Sequence, residues 1–256
     1  MLTAAGFGVG FLVGLTGVGG GSLMTPLLIF VFHVQPAVAV GTDLLFAAIT
    51  KTSGIWAHAR RRTVEWGAVG LLAAGSIPTA LVTVYLMGKA DAQNEVIEQF
   101  ITHGLGIALI LTAASILFSS RMHRMGDSVR QRFPLLRRYR DAVTVAAGVS
   151  LGILVPVSSV GAGALGAAML MFLYPRMPTI RIVGTDIAHA VPLTAVAGLG
   201  HMGLGNVDYS LLGALLLGSL PGIYVGSHIG AVLPERIMRP ILASLLAIIG
   251  AKFAFT

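Results

Sequence analysis

The chain has 256 residues, 55% of them apolar against 11% charged, with a mean hydropathy of +0.87 and a formal net charge of +7. That composition leaves a water-soluble fold too little polar surface to cover itself, and the chain reads as an all-α polytopic membrane protein in one membrane domain, 1–256. The absence of cysteine excludes disulfides, thiolate metal sites and iron–sulfur clusters, and the basic residues lie in short loops between apolar runs, a positive-inside pattern and not a nucleic-acid surface.

Apolar runs cover residues 2–33, 36–58, 65–88, 97–119, 142–174, 180–202, 209–232 and 236–255. A helical span takes about 20 residues, and none of the runs alternates over about ten residues as membrane-barrel strands do. No basic n-region or cleavage site precedes the first run, so no removable signal peptide is expected.

The first run is interrupted by Gly14, Gly17, Gly19, Gly20 and Gly21. Non-helical backbone at membrane depth survives only where protein buries it or water bathes it. Residues 2–16 and 22–33 are each short for a span at about 1.5 Å per residue, and suit two arms of a re-entrant hairpin. The second arm then opens on unpaired N–H groups and a positive dipole end, which together attract anions. A phosphate-binding loop would need Gly-Lys before Ser or Thr, and a dinucleotide fold would need strands; neither is present. Close helix packing through small residues is the other reading of one such run.

The second half of the chain echoes the first. Gly41-Thr42-Asp43 recurs as Gly184-Thr185-Asp186, His58 as His201, and Gly75-Ser76-Ile77-Pro78 as Gly218-Ser219-Leu220-Pro221, all at an offset of 143. Eleven of the 38 positions in 41–78 are identical to 184–221, more than shared greasiness produces. One residue out of step, Gly19 to Leu23 face Gly161, Ala162, Gly163, Ala164 and Leu165. Repeat one is therefore 1–119, a basic linker 120–140 and repeat two 141–256.

Equivalent loops carry opposite charge: Arg60, Arg61 and Arg62 follow His58, whereas the turn after His201 has no Lys or Arg. An inverted internal repeat predicts this, and inversion requires an odd number of crossings per copy. Each copy is thus read as a glycine-broken, re-entrant helical hairpin plus three transmembrane helices. That places 14 of the 17 basic residues, the arginine-rich linker included, in the cytoplasm, some of them against anionic headgroups. The two hairpin tips meet near the midplane, where inverted-repeat transporters hold substrate.

The run Gly14-Leu15-Thr16-Gly17-Val18-Gly19-Gly20-Gly21, then Pro26-Leu27-Leu28 and Val40-Gly41-Thr42-Asp43, with a second Gly-Thr-Asp past the midpoint, resembles the sulfite exporter TauE/SafE family. The likeness extends over nearly the whole chain. It implies a plasma-membrane transporter of small sulfur-containing anions such as sulfite, sulfoacetate and related organosulfonates, with no cofactor. The second copy departs from the first in having Gly-Ala-Gly for the triple glycine and no proline matching Pro26.

A charge near the bilayer centre costs roughly 2.5–3.5 kcal/mol on insertion scales, so each one invites a functional hypothesis. Asp43 and Asp186 have two readings: caps of helices that start after a break, assisted by Thr42 and Thr185, or carriers of a proton or cation that couples transport. Lys51 either faces the anion or snorkels to the headgroups; the second copy has Thr194 there. His189 shares a helical face with Asp186 and is a candidate proton relay. His58 and His201 sit near span ends, and His103 and His228 read as packing groups. Ser22, Thr25, Ser158 and Ser159 offer uncharged donors to anion oxygens, beside the tip backbone of Gly17, Gly19, Gly20, Gly21, Gly161 and Gly163. No His, Asp or Glu set has metal-ligand spacing. The rivals are an anion channel, or an intramembrane enzyme, which would need a nucleophile with a base or a metal.

Overall fold

Hydrocarbon offers backbone groups no partners, so a spanning chain satisfies them within helices or a closed barrel. The computed structural model describes residues 2–16, 21–89, 95–132, 139–230 and 235–255, and among them there are ten helices and no strand. They are α1 Leu2–Thr16, α2 Gly21–Phe30, α3 Pro36–Arg60, α4 Trp66–Lys89, α5 Glu95–Arg132, α6 Arg140–Ser158, α7 Ala164–Leu173, α8 Thr179–Gly203, α9 Tyr209–Gly230 and α10 Glu235–Phe255. Gly17, Gly19 and Gly20 lie outside the described residues. So does 133–138 of the linker; 120–132 continues α5 as helix.

Among the described residues, six helical stretches are long and apolar enough to cross a membrane: α3, α4, 101–119 of α5, α6, α8 and 209–226 of α9. The expected six included the last helix, whose apolar part is Pro240–Phe255, and not α6. With 19 residues, α6 is about 28 Å long, so this arm of the second broken segment is not short. Even so, the segment leaves the bundle at the end where it enters. Thr144 Oγ1 in the second turn of α6 lies 3.2 Å from the hydroxyl of Tyr174, just past α7, and the Arg140 guanidinium is 5.0 Å from the Tyr174 ring. The arms pack mainly on other helices: α1 on α9, α2 on α3 and α10, α6 on α4, α7 on α5 and α8.

These contacts are reciprocal between the halves. Gly6 and Gly10 of α1 lie against Leu215 and Ser219 of α9; Gly148 and Gly152 of α6 lie against Leu72 and Ser76 of α4, the same positions after shifts of 142 and 143. Small residues let both parallel pairs approach backbone to backbone. The turns match as well, with φ +52° at Arg62 and +77° at Gly205, 143 residues on.

At the centre, α3 and α8 cross antiparallel, Leu45 against Gly198 and Gly54 against Ile187. The crossing falls near Thr50 on α3 and Pro192–Leu193 on α8. One buried cluster, including Leu44, Leu72, Leu151, Val155, Leu170 and Leu193, holds α3, α4, α6, α7 and α8 together. Large apolar side chains such as Leu217, 73% exposed, cover the outside, as lipid contact requires.

Candidate functional site

Each Gly-Thr-Asp contributes three different things. A Cβ on Gly41 would run into the Asn206 carbonyl oxygen, and one on Gly184 would lie 2.6 Å from that of Thr63, so the glycines admit loops that pack on them. The threonines hold those loops: Asp208 N–H donates to Thr42 Oγ1 at 3.1 Å, and Glu65 N–H to Thr185 Oγ1 at 3.0 Å. The aspartates are buried, Asp43 at 0% and Asp186 at 5% exposure. Neither caps a helix after a break, because α3 starts at Pro36 and α8 at Thr179, each about two turns earlier. From the α3–α8 crossing, each acid lies about 10 Å along its helix, and the antiparallel arrangement puts them on opposite sides of it.

The break in the second copy has defined chemistry. Ser159 ends α6 in the left-handed region (φ 56°), its N–H donating to Val155 O at 2.8 Å. Ser158 is committed to the same end: its hydroxyl donates to Leu154 O and accepts Val160 N–H. Gly161, at φ +113°, turns its carbonyl toward α7, where it accepts Gly163 N–H at 2.9 Å and Gly166 N–H at 3.0 Å. Among the described residues no acceptor takes the N–H of Ala164 or Leu165. The negative end of α6 and the positive end of α7 thus meet within five residues, 159–163.

Both acids lie against the second broken segment, Asp43 at Ser159 and Asp186 at Gly166. Asp43 Oδ2 accepts from Thr25 Oγ1 of α2 at 2.6 Å. Its other side is turned to Ser159, yet neither Asp43 Oδ1 nor Ser159 Oγ has a hydrogen bond of ordinary geometry. Asp186 Oδ1 is likewise unpartnered and lies against Gly166 in the first turn of α7, where a Cβ would collide with it.

Lys51 lies between them. It sits within about 2 Å, along α3, of the crossing, and its Nζ donates to the Ala162 carbonyl in the break. The ammonium is therefore turned to the interior, not drawn to the headgroups. Asp186 and Asp43 are the charged groups acting on it. Ion pairs within 4 Å among the described residues are Arg140–Asp141 and Arg181–Glu65, so Lys51 is locked to neither acid.

Two buried histidines complete the polar interior. His201 Nε2 donates to Pro156 O at 2.9 Å, meeting a terminal carbonyl of α6. His58, its counterpart, turns instead to Thr63 Oγ1 at 2.8 Å. His189 Nε2 lies 2.8 Å from Ser76 Oγ, a contact across the two halves.

Of the residues singled out in the sequence, Thr25, Asp43, Lys51, Ser159, Gly161, Asp186 and His189 are gathered on the α3–α8 crossing and the second break. Gly163 is the N-cap of α7. Thr42 and Thr185 are spent on loops, Ser158 on the end of α6. Gly21 opens α2, as does Ser22, whose side chain lies outside what is described. His103 and His228 are exposed and bond the carbonyls of Gln99 and Tyr224. Ser76 and the His201–Pro156 bond were not foreseen as parts of the site. Both residues stand out as repeats, but repetition marks a position without saying where its side chain turns.

A family model, sulfite exporter TauE/SafE, matches residues 2–253. The chain is 41% identical over 247 residues to the probable membrane transporter protein YjnA of Bacillus subtilis (strain 168), covering 96% of each. It is 28% identical over 253 residues to YdhB, also named a probable membrane transporter protein, of the same organism, covering 97% of each. To a probable membrane transporter protein of Methanocaldococcus jannaschii it is 27% identical over 270 residues, covering 98% of this chain and 93% of that one. These are names of transporters and not of enzymes. No solved structure matches the chain.

Proposed function

This chain belongs to the sulfite exporter TauE/SafE family, and on that premise we propose that it carries small sulfur-containing anions, such as sulfite, sulfoacetate or other organosulfonates, across the plasma membrane. It does so as a secondary transporter by alternating access, in the outward direction. The observation that carries this reading is Lys51, which lies mid-helix in a span, whereas Lys89 and Lys252 stand in the last turns of α4 and α10. Its ammonium is held by a backbone carbonyl at a helix break, close to the molecule's centre and paired to neither nearby acid. A cation so placed is available to an anion's charge, while the opening turn of α7 and the Ser159 hydroxyl supply uncharged donors. From the first broken segment, Thr25 of α2 reaches the same interior at Asp43.

The halves are an inverted repeat, 1–119 and 141–256, joined by a cytoplasmic linker, 120–140. Movement of parts of the inverted repeat against each other would expose the site to each side in turn, with α1 travelling with α9 and α6 with α4, the most closely packed pairs. Asp43 and Asp186, each with an unpartnered oxygen, are the candidates for the coupling proton or cation, and the loops held by Thr42 and Thr185 are the gates.

The test is flux. Proteoliposomes loaded with sulfite or sulfoacetate should release it faster than protein-free vesicles, and Lys51→Met should abolish the difference. Release with no dependence on the protein would sink the sulfur-anion reading. Single-channel currents in a planar bilayer would replace transport by conduction.

A further inference from the structure

We propose that His189 binds the transported anion directly, its Nδ1–H donating to an anion oxygen beside Lys51, with Ser76 holding the ring in the tautomer this requires. The proposal rests on the transporter reading and names a donor within its site.

The tautomer follows from counting partners. His189 is 1% and Ser76 0% exposed, and the 2.8 Å contact between Nε2 and Oγ is the hydrogen bond each has. If Nε2 carried the proton, the Ser76 hydroxyl hydrogen would lack an acceptor and Nδ1 would be a bare lone pair, two unmet groups. If Ser76 donates to Nε2, the proton sits on Nδ1 and one group is unmet. Nδ1 is in fact buried and unpartnered. A buried N–H without an acceptor is destabilising, and an anion oxygen would relieve it.

The surroundings point to an anion. Lys51, reaching from α3, is the charged group that acts on His189. It supplies charge where His189 supplies direction. Asp186 lies one turn earlier on α8, but no bond joins it to the ring, and its own Oδ1 is unmet. An anion with three oxygens on one sulfur can engage Lys51 and His189 through different oxygens.

The duplication shows that this donor exists once. Phe46 stands at the position equivalent to His189, buried in an apolar cluster with Val9, Met24, Leu28 and Leu215. Ser219 stands at the position of Ser76 and, with no ring nitrogen before it, bonds back to Leu216 O at 3.3 Å. The two halves therefore form one anion site, displaced toward the second copy and its break.

The experiment is binding of sodium sulfite, sulfoacetate and thiosulfate to purified protein at fixed ionic strength, by calorimetry and thermal shift, with wild type, His189→Phe, His189→Gln and Ser76→Ala. His189→Phe installs the residue the first copy already carries. At least one probe should bind wild type, about tenfold more weakly His189→Phe, with partial recovery in His189→Gln, whose amide keeps an N–H. Ser76→Ala, which releases the tautomer, should weaken binding several-fold, and it carries the test if His189→Phe does not fold. Equal binding by wild type, His189→Phe and Ser76→Ala overturns this proposal and leaves the sulfur-anion site standing. Wild type that binds none of the probes overturns both.

Discussion

Thr25 donates its hydroxyl to Asp43 Oδ2 over 2.6 Å, whereas the position equivalent to Thr25 in the second copy is Ala167. The two repeated acids are thus held differently, Asp43 by a donor from its own half and Asp186 by none. Thr25→Val keeps the shape and removes the donor, leaving the buried carboxyl with both oxygens unmet. We expect a loss of about 1–3 kcal/mol, read as a lowered midpoint of thermal unfolding in detergent. An unchanged midpoint would mean that the bond contributes nothing to the fold.

Glycines separate into those that a neighbour needs bare and those that nothing touches. Gly41→Ala would drive a methyl into the Asn206 carbonyl, so the loop held by Thr42 must move; Gly70 and Gly213, themselves an equivalent pair, have open space around them. Alanine at Gly70 or Gly213 should leave stability unchanged or raise it by up to about 1 kcal/mol through helix propensity. Gly41→Ala should be strongly destabilising, and equal midpoints for the three variants would contradict the packing.

The class, the duplication and the centrality of Gly-Thr-Asp were legible because they are one-dimensional signals: run length, composition, spacing. Reading Asp43 and Asp186 as caps failed because a glycine followed by Thr-Asp looks like a helix start, whereas this glycine clears space for a loop from the other half. Only the tertiary arrangement reveals that loop. The length of α6 was missed for a related reason. Pro156 and Ser158–Ser159 stop the helix late, and a hydropathy run has no mark for where within it the helix ends. Ser76 and His189 are 113 residues apart, and no local pattern joins them.

His201 and His58 are matched in sequence but not in burial, and their removal should differ. His201 is 0% exposed and meets the Pro156 carbonyl at the end of α6; His58 is partly exposed and bonds within its own turn. His201→Ala leaves both a cavity and an unmet carbonyl, for an expected loss of about 2–4 kcal/mol. His58→Ala should cost less than half as much. Paired unfolding curves would decide, and equal costs would count against the capping role of His201.

Lys51→Thr replaces the lysine by the residue its own duplicate carries at Thr194. The fold should tolerate this, since the ammonium's hydrogen bond is to the Ala162 carbonyl and it forms no ion pair with either acid, while anion-driven thermal stabilisation should vanish. A variant that stays folded and is still stabilised by sulfite or sulfoacetate as wild type is would remove Lys51 from the site.

Asp208 begins α9 from outside the membrane span, and its behaviour with pH can be worked out. Its carboxylate accepts Leu211 N–H at 3.0 Å, the Ser210 hydroxyl at 2.7 Å and Ser210 N–H at 2.9 Å. These bonds, that of Leu211 foremost, hold its pKa below the ordinary 3.8. A carboxyl whose folded value lies below its unfolded one stabilises the fold above the unfolded value, and the contribution is lost as pH falls through the folded value. Asp208→Ala should therefore unfold more readily at pH 7, by the roughly 0.5–2 kcal/mol of a lost N-cap, and the gap should close from about pH 4 downward. Asp208→Asn, whose amide oxygen still caps, should stay near wild type at pH 7. Unfolding midpoints measured from pH 7 to pH 3 give the answer: a wild-type advantage over Asp208→Ala that does not change with pH would show that the cap owes nothing to the carboxylate's charge.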